Sequence, residues 1–165
     1  MQRYLMGEFG WDGMLAGMNK RILYGVGAIV ALAIIAFAYY AISPLFRNIK
    51  ADEQAPVATE QNATPPAQVV GTAGHPASGT VRIVQADGKS FVRYENFKTI
   101  NGPDIYVYLS KDLDAKDFVN LGRVRATEGN INYEIPSDVN IADYKYVLTW
   151  CKTFSVLFNS ADISK

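Results

Sequence analysis

The one cysteine of the chain, Cys151, is its most reactive side chain by type. A thiolate can attack a disulfide, change oxidation state, or ligate a metal or a haem iron. The bland alternative is a small buried hydrophobe, because free cysteine is among the most buried residue types. Lys152 follows directly, but in a strand its side chain would point to the opposite face, so it is poorly placed to stabilise a thiolate. The one histidine, His75, precedes Pro76. It is either a solvated loop residue or a second axial ligand or proton donor for Cys151. One cysteine and one histidine exclude a zinc site built from several nitrogen and sulfur ligands of one chain. They leave room for a cofactor that needs one or two protein ligands. Asp104, Asp112, Asp114 and Asp117 carry the oxygens that Ca²⁺ takes, yet their spacing does not follow an EF-hand loop. A solvated polar connection is the expectation there. Tyr94, Tyr106, Tyr108, Tyr133, Tyr146 and Trp150 are expected to serve the core and cross-strand pairs. No nucleophile elbow, phosphate loop, metalloprotease helix or nucleotide fingerprint occurs, so a conventional hydrolase or transferase is not expected.

Charge narrows the partners. The chain has 165 residues, with 16 Lys and Arg against 16 Asp and Glu. A nucleic-acid binder would show a basic excess, so nucleic acid is not an expected partner.

The elements that must position Cys151 divide into three unlike parts. From Ile22 to Phe46 there is no charged residue. A helix of that run would be about 37 Å long, enough to cross a hydrocarbon core of about 30 Å with tilt. Tyr24 lies near one end and Tyr39 and Tyr40 near the other, where interfacial aromatics belong. Lys20 and Arg21 precede the run, and Arg47 and Lys50 follow it. The difference is small and favours a cytoplasmic N-terminus, segment 1–21. A cleaved signal peptide is the rival, with Ala36-Phe37-Ala38 as its cleavage site, but the apolar run continues past that site to Phe46. Both readings put the C-terminal part outside the cytoplasm. Met18-Asn-Lys-Arg21 would by itself make a conventional basic leader, so Met18 rivals Met1 as the start.

Residues 47–76 are rich in Ala, Pro, Gln, Thr and Glu, with Pro56, Pro65, Pro66 and Pro76. Such a stretch is expected to be a disordered linker holding a folded domain off the membrane. Asn62-Ala-Thr64 is a formal glycosylation sequon.

From 77 to 165 the pattern has period two. Val81 and Ile83 alternate with Thr80 and Arg82. Asp87-Gly88 marks a tight hairpin turn before Phe91–Tyr94. Ile105, Val107 and Leu109 alternate with Tyr106 and Tyr108. Phe118–Val124 is interrupted at Gly122, Ile131–Ile135 ends at Pro136, and two strands close the chain at Lys145–Cys151 and Thr153–Phe158. This is an all-β expectation: an antiparallel sandwich or barrel of about seven or eight strands. Val147, Thr149 and Cys151 share one face of their strand, and Tyr146, Leu148 and Trp150 the other. Both faces are apolar, as in a central strand, and the pattern does not say which face is inward.

Ser78-Gly79-Thr80-Val81, Phe97 and Gly102-Pro103-Asp104 through Leu109 are similar to the opening half of the DM-thirteen domain. Leu121-Gly122, Gly129 through Tyr133 to Pro136, and Tyr146 to Cys151 with Phe154, Val156, Phe158 and Ala161 resemble its closing half. The likeness covers roughly residues 75–164. It departs at Asn159-Ser160, where a glycine after the phenylalanine would be expected. The resemblance implies an extracytoplasmic β domain acting in electron transfer. Its characteristic cysteine, here Cys151, would be a naked redox thiol or the ligand of a group such as haem. Membrane attachment through 22–46 and a redox or cell-surface partner follow as expectations. Two other classes stay open. One is a tethered binding or adhesion module with Cys151 merely packed, and the other a covalent dimer through Cys151, which requires an exposed thiol.

Overall fold

A computed structural model describes residues 19–43, 48–56 and 63–164. Met1 to Met18, the end of the apolar run at 44–46 and Asn62 of the sequon lie outside the described residues. The helix and the β domain are separate compact units, divided at Tyr39–Tyr40.

The helix α1 spans Lys20–Ile42, with apolar side chains all round and none buried. It is long and apolar enough to cross a membrane. Asn19 starts it, accepting the Arg21 N–H on its side-chain oxygen at 3.1 Å. That is the bond an N-cap supplies to an otherwise orphan donor. The helix stops four residues short of Phe46. Ser43 passes into a 3-10 turn, and Pro44 has no N–H to continue the α-helical ladder.

Among its described residues the domain has ten strands. Three short ones come first: β1 (Lys50–Asp52), β2 (Ala67–Gln68) and β3 (Val70–Gly71). Seven longer ones follow: β4 (Ala77–Ala86), β5 (Lys89–Thr99), β6 (Ile105–Ser110), β7 (Phe118–Arg123), β8 (Glu128–Ile135), β9 (Tyr146–Cys151) and β10 (Val156–Asp162). One sheet runs β1-β8-β5-β4-β2 and the other β3-β10-β9-β6-β7. Every pairing is antiparallel except that of β1 with β8.

The two sheets share one core. Val81, Val92, Tyr94 and Ile131 of the first pack with Val107, Leu109, Val147 and Ala161 of the second. The arrangement is sandwich-like, one of the two architectures that the period-two pattern left open. Asp87 and Gly88 both have positive φ, 51° and 73°. That is the geometry of a two-residue hairpin turn matching the strand twist.

Three strands lie inside 47–76, the stretch expected as a disordered linker. They are two or three residues long, and partners hold them rather than an apolar pattern of their own. Lys50 to Asp52 lie beside Glu128 to Asn130. Glu53 then caps this edge, its carboxylate accepting the Asn132 N–H at 2.8 Å and meeting Arg125 Nη2 at 3.1 Å. Gly129 permits the pairing, since any side chain there would collide with the Ala51 carbonyl. Only residues 43–49 separate α1 from β1.

The last strand is also displaced. Thr153 and Phe154 were expected in it but lie in the turn 152–155, where Ser155 has φ of 51°. β10 therefore starts at Val156 and carries Asn159 and Ser160 in the strand instead of a turn. The Asn159 amide donates to Thr99 Oγ1 at 3.1 Å, which explains how a buried amide is tolerated there.

Candidate functional site

Cys151 is the last residue of β9, a central strand between β6 and β10. Its register partners are Ile105 on β6 and Val156 on β10. Val147, Thr149 and Cys151 face inward, since Val147 belongs to the shared core and the face alternates. Leu148 on the other face is fully buried as well, so both sides of this strand are covered.

At the end of the sandwich Cys151, Ile105 and Phe158 form a second, small apolar cluster. Ile100, Val124 and Val156 pack against it. Cys151 is 0% exposed. A disulfide-linked dimer through Cys151 needs an exposed thiol, so the structure corrects that expectation. The same enclosure leaves the sulfur no open side for a macrocycle, and the residues present do not fit a haem. Cavities of about 570, 610 and 380 Å³ open elsewhere on the domain, and neither Cys151 nor His75 lines them.

Two segments far apart in sequence close this end. One is the turn Gly102-Pro103-Asp104. A side chain on Gly102 would meet Ile105 Cγ2 at 2.8 Å and the Phe158 ring at 2.9 Å, so glycine there makes room for the cluster. The other is the hairpin that follows Cys151. The Lys152 N–H donates to the Asp104 carbonyl at 2.9 Å, and Thr153 Oγ1 to the Asp104 carboxylate at 3.1 Å. Asp104 is thus a latch between the two turns. Arg123 Nη2 donates to the Pro103 carbonyl at 2.7 Å and completes it. Lys152 points away from the cluster and places its ammonium 5.8 Å from the Tyr106 ring.

His75 reaches the same cluster. Its ring stacks on Phe158 at 4.1 Å between centroids, with 28° between planes. Its Nδ1 lies 3.1 Å from Thr72 Oγ1. The Thr72 hydroxyl has one hydrogen, which the carbonyls of Leu157 at 2.8 Å and Phe158 at 3.1 Å accept. With that hydrogen on a carbonyl, the hydroxyl oxygen is free to accept from a protonated Nδ1. The structure therefore brings both residues singled out by chemistry to one phenylalanine. Thr72 was not visible as a partner in the sequence. A lone threonine in a Pro- and Ala-rich stretch carries no pattern that points to β10. Phe154, four residues before Phe158, is 48% exposed and does not join the cluster.

Further in, Thr149 Oγ1 and the Tyr94 hydroxyl are buried without a partner in hydrogen-bonding geometry. Burial pushes the Tyr94 phenol well above its ordinary range, and the nearby Thr149 hydroxyl only partly opposes that.

The other carboxylates do not join Cys151. Asp112 accepts the N–H groups of Asp114 at 2.9 Å and Lys116 at 3.1 Å. Asp114 pairs with Lys116 and Asp117 with Lys111. Among the described residues no three His, Cys, Asp or Glu side chains converge on a metal position.

The family model described as "Electron transfer DM13" matches residues 69–163. The match takes in β3 to β10, the Gly102–Asp104 turn, Cys151 and the segment bearing Thr72 and His75, and leaves out β1 and β2. No curated protein and no solved structure matches the chain.

Proposed function

The chain belongs to the electron transfer DM13 family, and from that premise we propose that it is a membrane-anchored electron-transfer module with Cys151 as its redox residue. The β domain, 77–165 with the short strands docked ahead of it, works outside the cytoplasm. Residues 22–46 hold it to the membrane, segment 1–21 lies on the cytoplasmic side, and a redox partner meets the domain outside the cytoplasm. What supports the membrane part is the apolar helix with Lys20 and Arg21 at its front edge.

One observation carries the redox part. The Gly102–Asp104 turn and the hairpin after Cys151, remote in sequence, close together around one thiol. The enclosure favours a naked thiol over a haem ligand, and His75, stacked on Phe158 of the same cluster, is a group able to handle a proton. The same full burial favours a second reading, a tethered binding or adhesion module in which Cys151 only packs.

The full chain purified in detergent separates these readings. Absorption spectra and intact mass are recorded before and after mild oxidation and then reduction, for the wild type and Cys151→Ser. The naked-thiol reading expects no haem band and a reversible mass change that Cys151→Ser lacks. A haem band lost in Cys151→Ser overturns the naked-thiol version. The absence of any reversible mass change before denaturation overturns the redox role and leaves the binding module. Resistance of the protein to alkaline extraction from membranes, with the β domain open to external protease, tests the anchor and its topology.

A further inference from the structure

We propose that Thr72 and His75 form a clasp that keeps Cys151 enclosed. Its local release, without unfolding of the sandwich, gives a redox partner access to the sulfur. The proposal rests on the redox reading of Cys151 and adds how a buried thiol is reached.

The clasp is a self-contained turn. The His75 N–H donates to the Thr72 carbonyl at 2.9 Å, and Gly74 takes a positive φ of 81°. Gly71 lies so close to His75 and Ala77 that a side chain there would strike their backbone. The turn is held at both ends by the body of the domain. Before it, Val69 is buried in the core and its N–H donates to the Gly79 carbonyl at 3.0 Å. After it, Ala77 begins β4.

Between these anchors the turn grips β10 by few bonds. β3 pairs with β10 over two residues only, Gly71 with Asn159 and Val70 with Ser160. The ladder between β9 and β10 then shifts register between Leu157 and Asn159, which leaves Phe158 out of regular pairing with β9. Thr72 takes over: its N–H donates to the Phe158 carbonyl at 3.0 Å, and its hydroxyl serves the Leu157 and Phe158 carbonyls. The His75 ring covers one face of the Phe158 ring. A short edge element with few long-range bonds is the kind of unit that opens below the free energy of global unfolding. Phe158 is the member of the Cys151 cluster whose backbone the ladder holds least. When the clasp lets go, Phe158 is therefore the side chain freed to move.

The test is thiol labelling of the full chain in detergent with an aromatic disulfide reagent. The Cys151 thiolate attacks the reagent's disulfide, forms a mixed disulfide and releases a coloured aromatic thiolate. Rates are measured across low denaturant concentrations for the wild type, Thr72→Val, His75→Ala and Thr72→Ser. Each variant's unfolding midpoint is measured alongside. Thr72→Val and His75→Ala are expected to speed labelling about tenfold or more, with little denaturant dependence and more than their midpoints explain. Thr72→Ser, which keeps the hydroxyl, is expected to return the wild-type rate. Labelling that rises only in step with lost global stability, or that neither variant changes, overturns the clasp. Fast-labelling variants of a protein whose Cys151 shows no reversible oxidation would sink the redox reading and leave the clasp standing. Reversible oxidation with access only by global unfolding would do the opposite.

Discussion

The second sheet ends differently on its two sides. At one end Cys151, Ile105 and Phe158 are sealed under two turns. At the other end residues 111–117 form a connection of exposed ion pairs, Lys111 with Asp117 and Lys116 with Asp114. Both ends use an aspartate to stiffen a turn. Asp104 holds the Lys152 N–H through its carbonyl and Thr153 through its carboxylate, while Asp112 holds two backbone N–H groups. The difference is what the stiffened turn covers. The Asp104 turn closes over apolar side chains and a sulfur, so its geometry is coupled to packing. The Asp112 turn faces solvent, where the contribution of each pair is screened. Aspartates alone therefore do not mark a site in this fold, whereas the burial behind them does.

Substitutions at the two ends test that contrast. Phe158→Ala is expected to have the largest effect. It should lower the unfolding free energy by about 3–5 kcal/mol in denaturant titrations, through lost transfer energy and an unfilled cavity. A loss below about 1 kcal/mol would mean that this end is not packed as described. Gly102→Ala should cost about 1–3 kcal/mol, because the new methyl overlaps Ile105 and Phe158. In a Phe158→Ala background that cost should shrink, and strict additivity of the two losses would show that the two sites do not touch.

The solvated end is expected to respond to acid, and only locally. The backbone N–H of Lys116, with that of Asp114 beside it, holds the Asp112 carboxyl below its ordinary value of 3.8. A depressed folded-state value means that its contribution is present above pH 3.8 and is lost as pH falls through the lower folded value. Amide exchange at Asp114 and Lys116 should quicken in that window while the amides of Cys151 and Lys152 stay protected. Joint loss of protection at both ends would erase the distinction. The smallest effect belongs to Lys116→Ala, which should leave the melting temperature within about one degree of the wild type. A larger fall would show that the exposed pair matters to the fold.

Much of this arrangement was legible in the sequence. The residue pattern indicated all seven longer strands, the last of them begun three residues too early, and Asp87-Gly88 placed the first hairpin, because a strand's period and a turn's φ requirement are local properties. The three short strands were not legible. Lys50–Asp52 and Val70–Gly71 have no pattern of their own and exist because β8 and β10 offer unpaired edges. The displacement of β10 was hidden for a related reason. Thr153 and Phe154 have strand propensity, but the latch to Asp104 draws residues 152–155 into a turn.

For the site, the sequence by itself determined that one thiol would end a central apolar strand and that one histidine would lie far from it in the chain. It also determined an apolar run long enough to cross a membrane. Those are consequences of residue type and periodicity, which act over a few neighbours. Only the tertiary structure decided which face of β9 is inward and that Phe158 rather than Phe154 joins Cys151. It alone decided that Thr72 and His75 close over that ring. Each of these depends on two sheets meeting across a shared core. Either face of an apolar strand can be buried, and only the facing sheet selects one.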